Sequence, residues 1–383
     1  MARHSEHAHE LTLAENRVTL SGPADLADAL PYLLGYHPDD SIVVMGLHGP
    51  RGRLGGRIRT GIPADPAGWC ETAESLAACL VDNSAVRDSR PDAAVVYLCQ
   101  EPPDGVPARE TMERLRPLAQ RLRTACGGLE VPVLEALYVA GGRYWSYCCA
   151  GDGCCPDEGN ELPRTETSPM AAAAAYAGIR VRGSLRQFAR RLAPLGEPAA
   201  ARQVRAFDQV AAKLFGRMLS TERDTAGVRA ETLELAGLLM SRFRRALAAP
   251  DPDDASSDAR DDALLTSEEA ARLVLGLQDR VTRDIAAEWM EGADAPVALR
   301  LWRALARRCV AEYEGHGAAP LTLAGWVAWS SGDETEARVA LERALEADPE
   351  YVFARLLHQA CNEGVDPEAL RRCMRQQRAA RGR

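Results

Sequence analysis

Four of the eleven cysteines stand in one short stretch, Cys148-Cys149-Ala-Gly-Asp-Gly-Cys154-Cys155-Pro-Asp-Glu-Gly. Zinc takes about four thiolate, imidazole or carboxylate ligands in a tetrahedron, and thiolates closing a short Gly-rich loop suit that geometry. Cys149, Cys154 and Cys155 make a C-x4-CC arrangement. Cys148 follows a strand-like run, so alternation of side chains points it away from Cys149 and makes it the weakest member of the set. Asp152, Asp157, Glu158 or His37 could complete the shell. The spacing is not that of a zinc ribbon, so two other chemistries stay open. One is thiol–disulfide exchange between near-neighbour thiols; the other is plain packing of cysteines in a tight turn. Four thiolates would form a closed structural staple, the favoured role. Three ligands and a water would leave a reactive position, with Glu158 as the nearest general base.

A second candidate is the loop Tyr36-His37-Pro38-Asp39-Asp40-Ser41. His37 beside Asp39 or Asp40 has the makings of an oriented base, and Ser21 or Ser41 of a nucleophile. Asp-Asp-Ser is equally good turn and capping chemistry, and that is the preferred reading. Ser21-Gly22, between a strand and a helix, could offer backbone N–H groups to an anion, but no GxGxxG accompanies it. The third candidate is Arg143-Tyr144-Trp145-Ser146-Tyr147. On a strand, Tyr144, Ser146 and Cys148 share one face, and Arg143, Trp145, Tyr147 and Cys149 the other. Packing within a sheet is expected, with Tyr144 and Trp145 as candidate pocket-lining residues; base stacking is the lesser reading.

These residues need a scaffold, and the pattern around them alternates strand-like and helix-like runs. RVTLSG reads as a strand, PADLADALPYLLGY as an amphipathic helix with Pro23 in its first turn, and SIVVMGL as a strand buried on both faces. GRIRTGIP reads as the partner strand, WCETAESLAACLVDN as a helix and AAVVYLC as a second buried strand. RETMERLRPLAQRLRTAC is a helix expected to break or bend near Pro117. VPVLEALYVAGGRYWSYCC makes two strands turned at Gly141-Gly142. Residues 1–10, with His4, His7 and His9, are polar and expected to be mobile. Residues 11–165 are therefore expected to form an α/β domain with a mixed sheet, ending in the Cys-rich turn.

From 166 to 383 the runs are helical, and an all-α domain is expected. The segment 250–262, PDPDDASSDARDD, reads as an acidic linker. LLTSEEAARLVLGLQDRVTRDIAAEWM follows as one long helix, with Thr266 as N-cap and Glu269 at capping-box distance. In residues 318–351, Gly325, Gly332, Ala337, Ala344 and Pro349 fall at the small-residue and proline positions of a tetratricopeptide repeat, although Leu321 and Ala328 replace the usual aromatics. One unit makes no solenoid groove, so a helical hairpin docked on its neighbours is expected. Trp326 and Trp329 share a face that could serve packing or recognition.

Composition narrows the function classes. The net charge is −9 at pH 7, against a nucleic-acid footprint. The tail carries Arg371, Arg372, Arg375, Arg378, Arg381 and Arg383, read as a solvated helix end that suits the C-terminal dipole. Lys213 is the only lysine and no GxxxxGK[ST] occurs, which disfavours Schiff-base and P-loop enzymes. No long apolar run predicts a membrane span, and no apolar leader predicts export; a cytoplasmic location with reduced cysteines is expected. Cys70, Cys79, Cys99, Cys126, Cys309, Cys361 and Cys373 are scattered, most of them read as core fillers.

Four segments together carry a family resemblance: LSGPADLADALPYLLGYHPDDSIVVMGL, GGRYWSYCCAGDGCCPDEG, LGLQDRVTRDIA and LTLAGWVAWSSGDETEARVALERALEADPEY. The chain resembles, over nearly its whole length, an actinobacterial family described only as a domain of unknown function. Leu-Gly-Tyr-His-Pro and Cys-Cys-Pro-x-Glu-Gly are the most specific blocks. The resemblance implies a cytosolic actinobacterial protein and brings no catalytic residues. The expected function is that of a non-enzymatic binding, scaffold or regulatory protein that engages another protein through its helical domain and holds a candidate structural zinc. The rival is a metal- or thiol-dependent enzyme or small-molecule binder, with its site between the 34–41 loop and the 149–159 turn.

Overall fold

The computed structural model describes the chain apart from residues 1–8, 14–15, 21, 51, 88–89, 150–155, 165–167, 180, 182, 219–221, 247–253 and 382–383. Two compact units meet in sequence between Ser184 and Leu185.

The first unit is built on a sheet of six strands: β3 (Ser41–His48), β4 (Arg53–Gly61), β5 (Ala93–Cys99), β6 (Val133–Ala140), β7 (Arg143–Ser146) and β8 (Asn160–Glu161), in the order β4-β3-β5-β6-β7-β8. Only β5 and β6 run parallel. They are joined through α3 (Ala108–Gly128), the crossover that a parallel pair requires. The remaining neighbours are antiparallel. A separate hairpin of β1 (His9–Leu13) and β2 (Asn16–Leu20) precedes them, so strand structure starts inside the stretch expected to be mobile.

Every residue of β3 and β5 is buried, because both sheet faces are covered. On one face Val44, Val96, Leu98 and Tyr138 pack with Leu76 and Leu80 of α2 (Trp69–Arg87) and with Leu115, Leu118 and Leu122 of α3. On the other, Val43, Val95, Tyr97 and Leu137 pack with Leu26 and Leu30 of α1 (Pro23–Leu34) and Met170 of α4 (Pro169–Tyr176). This is the expected mixed sheet between helical layers. The unit extends past residue 165 because α4 belongs to it. Ser168 caps α4 through the Ala171 N–H, and its hydroxyl donates to buried Asp28 of α1 at 2.5 Å. The turn Gly141-Gly142, with both φ values positive, closes β6 on β7 as expected. Helix α3 does not break at Pro117. That residue lies on the exposed face, where the carbonyl that loses its helical partner meets water.

The second unit contains α5 (Leu185–Arg191), α6 (Ala199–Met218), α7 (Glu222–Ala246), α8 (Asp254–Ala263), α9 (Ser267–Gly276), α10 (Arg280–Ala286), α11 (Ala295–Arg307), α12 (Ala318–Ser330), α13 (Glu334–Ala347), α14 (Val352–Asn362) and α15 (Glu368–Arg381), with no strand among its described residues. Two expectations are corrected. Most of the acidic segment 250–262 is helix rather than linker: Asp258, Asp261 and Asp262 of α8 form ion pairs with Arg191, Arg300 and Arg307. The single long helix after Thr266 is two. The capping box of Thr266 and Glu269 opens α9, but Asp279 caps a new helix by accepting the Thr282 N–H at 2.8 Å. Helices α12 and α13 pack closely because Gly325 has no Cβ; one there would sit 2.6 Å from Leu341 Cγ.

Candidate functional site

The strands β5 and β6 end side by side at Cys99 and Ala140, and the chain leaves both toward one edge of the sheet. In open sheets this carboxyl edge of parallel strands is where ligands settle, since loops diverge there around the start of the crossover helix. An open cleft of about 610 Å³ lies at this place. Its walls are Glu101, Pro102 and Pro107 from the β5–α3 loop, Ala108 and Arg109 from the first turn of α3, Ala140, Gly141, Arg143 and Trp145 from the β6–β7 hairpin, and Asp157 and Glu158 from the turn before β8.

Local chemistry fixes these walls. Gly141 donates its N–H to Glu101 Oε1 at 2.9 Å, tying the hairpin to the loop after β5. The guanidinium of Arg143 donates to the carbonyls of Glu158 and Gly159 at 3.2 and 3.0 Å and pairs with Glu161 at 2.7 Å. Trp145, 1% exposed, donates Nε1–H to the Asp157 carbonyl at 3.3 Å. The turn can lie this close to the indole because residue 159 is glycine. Its φ is +77°, and a Cβ would approach the Trp145 ring to 2.5 Å. Arg109 pairs with Glu113 at 3.1 Å and reaches Asp157 only at 4.0 Å. Helix α3 starts after Pro107 without a side-chain cap, and its first turn carries one carboxylate, Glu110, beside Arg109.

Of the residues singled out from sequence, the fold brings Arg143, Trp145, Asp157 and Glu158 together here. Tyr144 does not join them: it packs on the opposite face of the sheet, among the α1 and α4 residues. His37 does not line the cleft. Its backbone N–H donates to the Gly183 carbonyl at 2.8 Å, and the residue as a whole is exposed. Ser41 is fully buried, and its hydroxyl donates to the Asp39 carbonyl at 2.6 Å while accepting from Arg59 Nε at 3.0 Å. Ser41 is thus tied into the turn, while partial burial draws the His37 imidazole below its ordinary range against the opposing pull of Asp39. Ser21 lies outside the described residues.

Cys154 and Cys155 also lie outside the described residues, as does Asp152. Cys148 and Cys149 are half-buried. Strand β7 ends at Ser146, so alternation does not extend to Cys148, which packs against the same cluster as Trp145 and Tyr147. Burial and nearby Glu135 push its thiol above the ordinary range. Ser146 donates to Glu135 at 2.7 Å and accepts the Cys148 N–H at 3.0 Å. Among the described residues, no group of three or more histidine, cysteine or carboxylate side chains is placed to hold a metal ion. No helix among them is long and apolar enough to cross a membrane. Of the scattered cysteines, Cys99, Cys126, Cys309 and Cys361 are buried as expected, but Cys70, Cys79 and Cys373 are exposed.

In the second unit, Trp326 and Trp329 are 0% and 4% exposed, and Trp326 donates to the Ala287 carbonyl at 2.9 Å. They pack and are not offered for recognition. The arginine tail is not simply solvated: Arg371 and Arg375 share Glu291, Arg378 faces Asp294 and Arg381 pairs with Glu288. Sequence reading passed over Glu101, Pro102, Pro107, Ala108 and Arg109 as cleft residues. Their signal was positional: they directly follow a fully apolar strand and open the helix that leads to its parallel neighbour.

No curated protein and no solved structure matches the chain. A family profile does, over residues 23–368, and the chain belongs to the family described as Domain of unknown function (DUF4192).

Proposed function

We propose that the first unit binds a small molecule in the cleft at the carboxyl edge of β5 and β6. The observation that carries this reading is the 610 Å³ volume itself, within the usual range for ligand pockets and placed where an α/β sheet offers one. The polar lining is three carboxylates and two guanidiniums, Glu101, Asp157, Glu158, Arg109 and Arg143, groups that can hold a polar ligand. The test is a fragment screen by thermal shift on the full chain, repeated on Ala108→Trp, which fills the cleft from the first turn of α3. Fragments that stabilise the wild type and not the variant support the reading. Equal stabilisation of both, or none of either, removes it.

A second reading is association with another protein through the helical unit. It is supported by Val352 and Leu356, one turn apart on α14 and each 61% exposed. The α12–α13 hairpin, read as tetratricopeptide-like, would be part of that module. Leu356→Glu should then abolish co-purification of a partner from native extract without changing the far-UV circular dichroism. In the same proposal the protein is cytoplasmic and of actinobacterial type, and Cys149, Cys154 and Cys155, with Cys148 as the weakest candidate, hold a structural zinc. About one zinc per chain by elemental analysis, lost in Cys154→Ser, would support the metal; none would exclude it.

A further inference from the structure

The cleft carries both signs of charge, Arg109 and Arg143 against Glu101, Asp157 and Glu158. Arg109 stands in the first turn of α3, its Nε paired with Glu113 at 3.1 Å and its Nη1 4.0 Å from Asp157. The next position is Arg143, bonded to the carbonyls of the Asp157–Gly159 turn, and beyond it Glu101 is bonded to the Gly141 N–H. Glu158 adds a carboxylate for which the described residues provide no side-chain partner, and the start of α3, which has no side-chain cap, adds its dipole beside Arg109, with Glu110 in the same turn. Between these poles the walls are Pro102, Pro107 and Ala140.

A ligand of one charge sign would meet like charge at the neighbouring position, and each such approach weakens binding. A ligand with both signs a few ångströms apart meets a complement at each pole. We infer that the cleft takes a zwitterion of amino-acid type, its carboxylate toward Arg109 and the start of α3, its ammonium toward Glu158 and Glu101, and its side chain along the prolines. This rests on the cleft being a ligand site, as proposed above.

Pools of the common L-amino acids, titrated onto the full chain by thermal shift and then calorimetry, identify the best-bound one. Its amide, which keeps only the cation, and its N-acetyl form, which keeps only the anion, are compared with it. The inference expects both to bind at least roughly tenfold more weakly than the parent. It also expects Arg109→Gln to weaken the parent and the N-acetyl form but not the amide, and Glu158→Gln to weaken the parent and the amide but not the N-acetyl form. Equal binding of either derivative overturns it. If no amino acid binds but library fragments still distinguish the wild type from Ala108→Trp, the zwitterion is wrong and the cleft stands. If nothing distinguishes them, both fall.

Discussion

The two units bury their cores with different chemistry. In the first, β3 and β5 are apolar on both faces and covered by helices, so the interior is mostly hydrocarbon. In the second, α11 carries Arg303 and Arg307, both about 95% buried, with Arg308 next to its end. Arg303 pairs with buried Glu336 of α13. Arg307 pairs with Asp262 at 2.9 Å and donates to the carbonyls of Arg191 and Asp258 at 2.8 and 3.2 Å. Arg308 donates to Gln203 and to the carbonyls of Asp262 and Leu265. A hydrocarbon core tolerates many sequences of similar volume, whereas buried ions require particular partners. The first unit should therefore fail by cavity formation and the second by the orphaning of charge.

The largest effect should come from orphaning. Arg307→Ala leaves Asp262 and two carbonyls without their donor, a loss of about 3–5 kcal/mol in the second unit. Hydrogen exchange should rise across α8 and α11 and stay unchanged in β3 and β5; a loss below about 1 kcal/mol would mean that water replaces the guanidinium. In the first unit, Leu115→Ala removes a fully buried side chain of α3 from the sheet-facing cluster, for about 2–5 kcal/mol. That loss should not change with added salt. Salt dependence would show that the first unit also relies on charge.

The same contrast explains how much was legible beforehand. The apolar runs of β3 and β5, the Gly141-Gly142 turn and the Thr266–Glu269 capping box are local patterns, and all were readable. The helix at Asp254–Ala263 was not, because its acidic residues find their reason 39 to 67 residues away along the chain, at Arg191, Arg300 and Arg307. Nor was the break at Leu277–Asp279, where Arg229 of α7 holds the capping Asp279 at 2.9 Å. The cleft was half legible. Arg143, Trp145, Asp157 and Glu158 drew notice by residue type, whereas Pro107, Ala108 and Arg109 matter by position, which only the pairing of β5 with β6 discloses.

Acid should separate the units next. Arg229 holds the Asp279 carboxyl down at about 2, and Arg242 does the same for Glu269. Both groups have lower pKa values folded than unfolded, so their stabilisation is complete above about pH 4.5 and fades as the pH falls toward 2. Asp262, and Asp28 in the first unit, act the other way, because burial raises them and protonation relieves that cost. The urea midpoint, followed by helical circular dichroism, should therefore drop between about pH 4.5 and 2. An unchanged midpoint would mean that these pairs contribute nothing net.

The smallest effect sharpens that one. Thr266 accepts the Glu269 N–H at 3.2 Å, and Glu269 accepts the Thr266 N–H at 3.0 Å while gripping Arg242 at 2.8 Å. Thr266→Ala removes the hydroxyl half of this box, for about 1 kcal/mol at neutral pH. The hydroxyl also helps to hold Glu269 ionised, so its loss lets that carboxyl rise from about 2 toward its ordinary value. The acid transition should then begin at higher pH in the variant than in the wild type. If the variant loses stability but keeps the wild-type acid midpoint, the cap and the Arg242 pair act independently, and the second unit is a sum of separate ion pairs and not a coupled network.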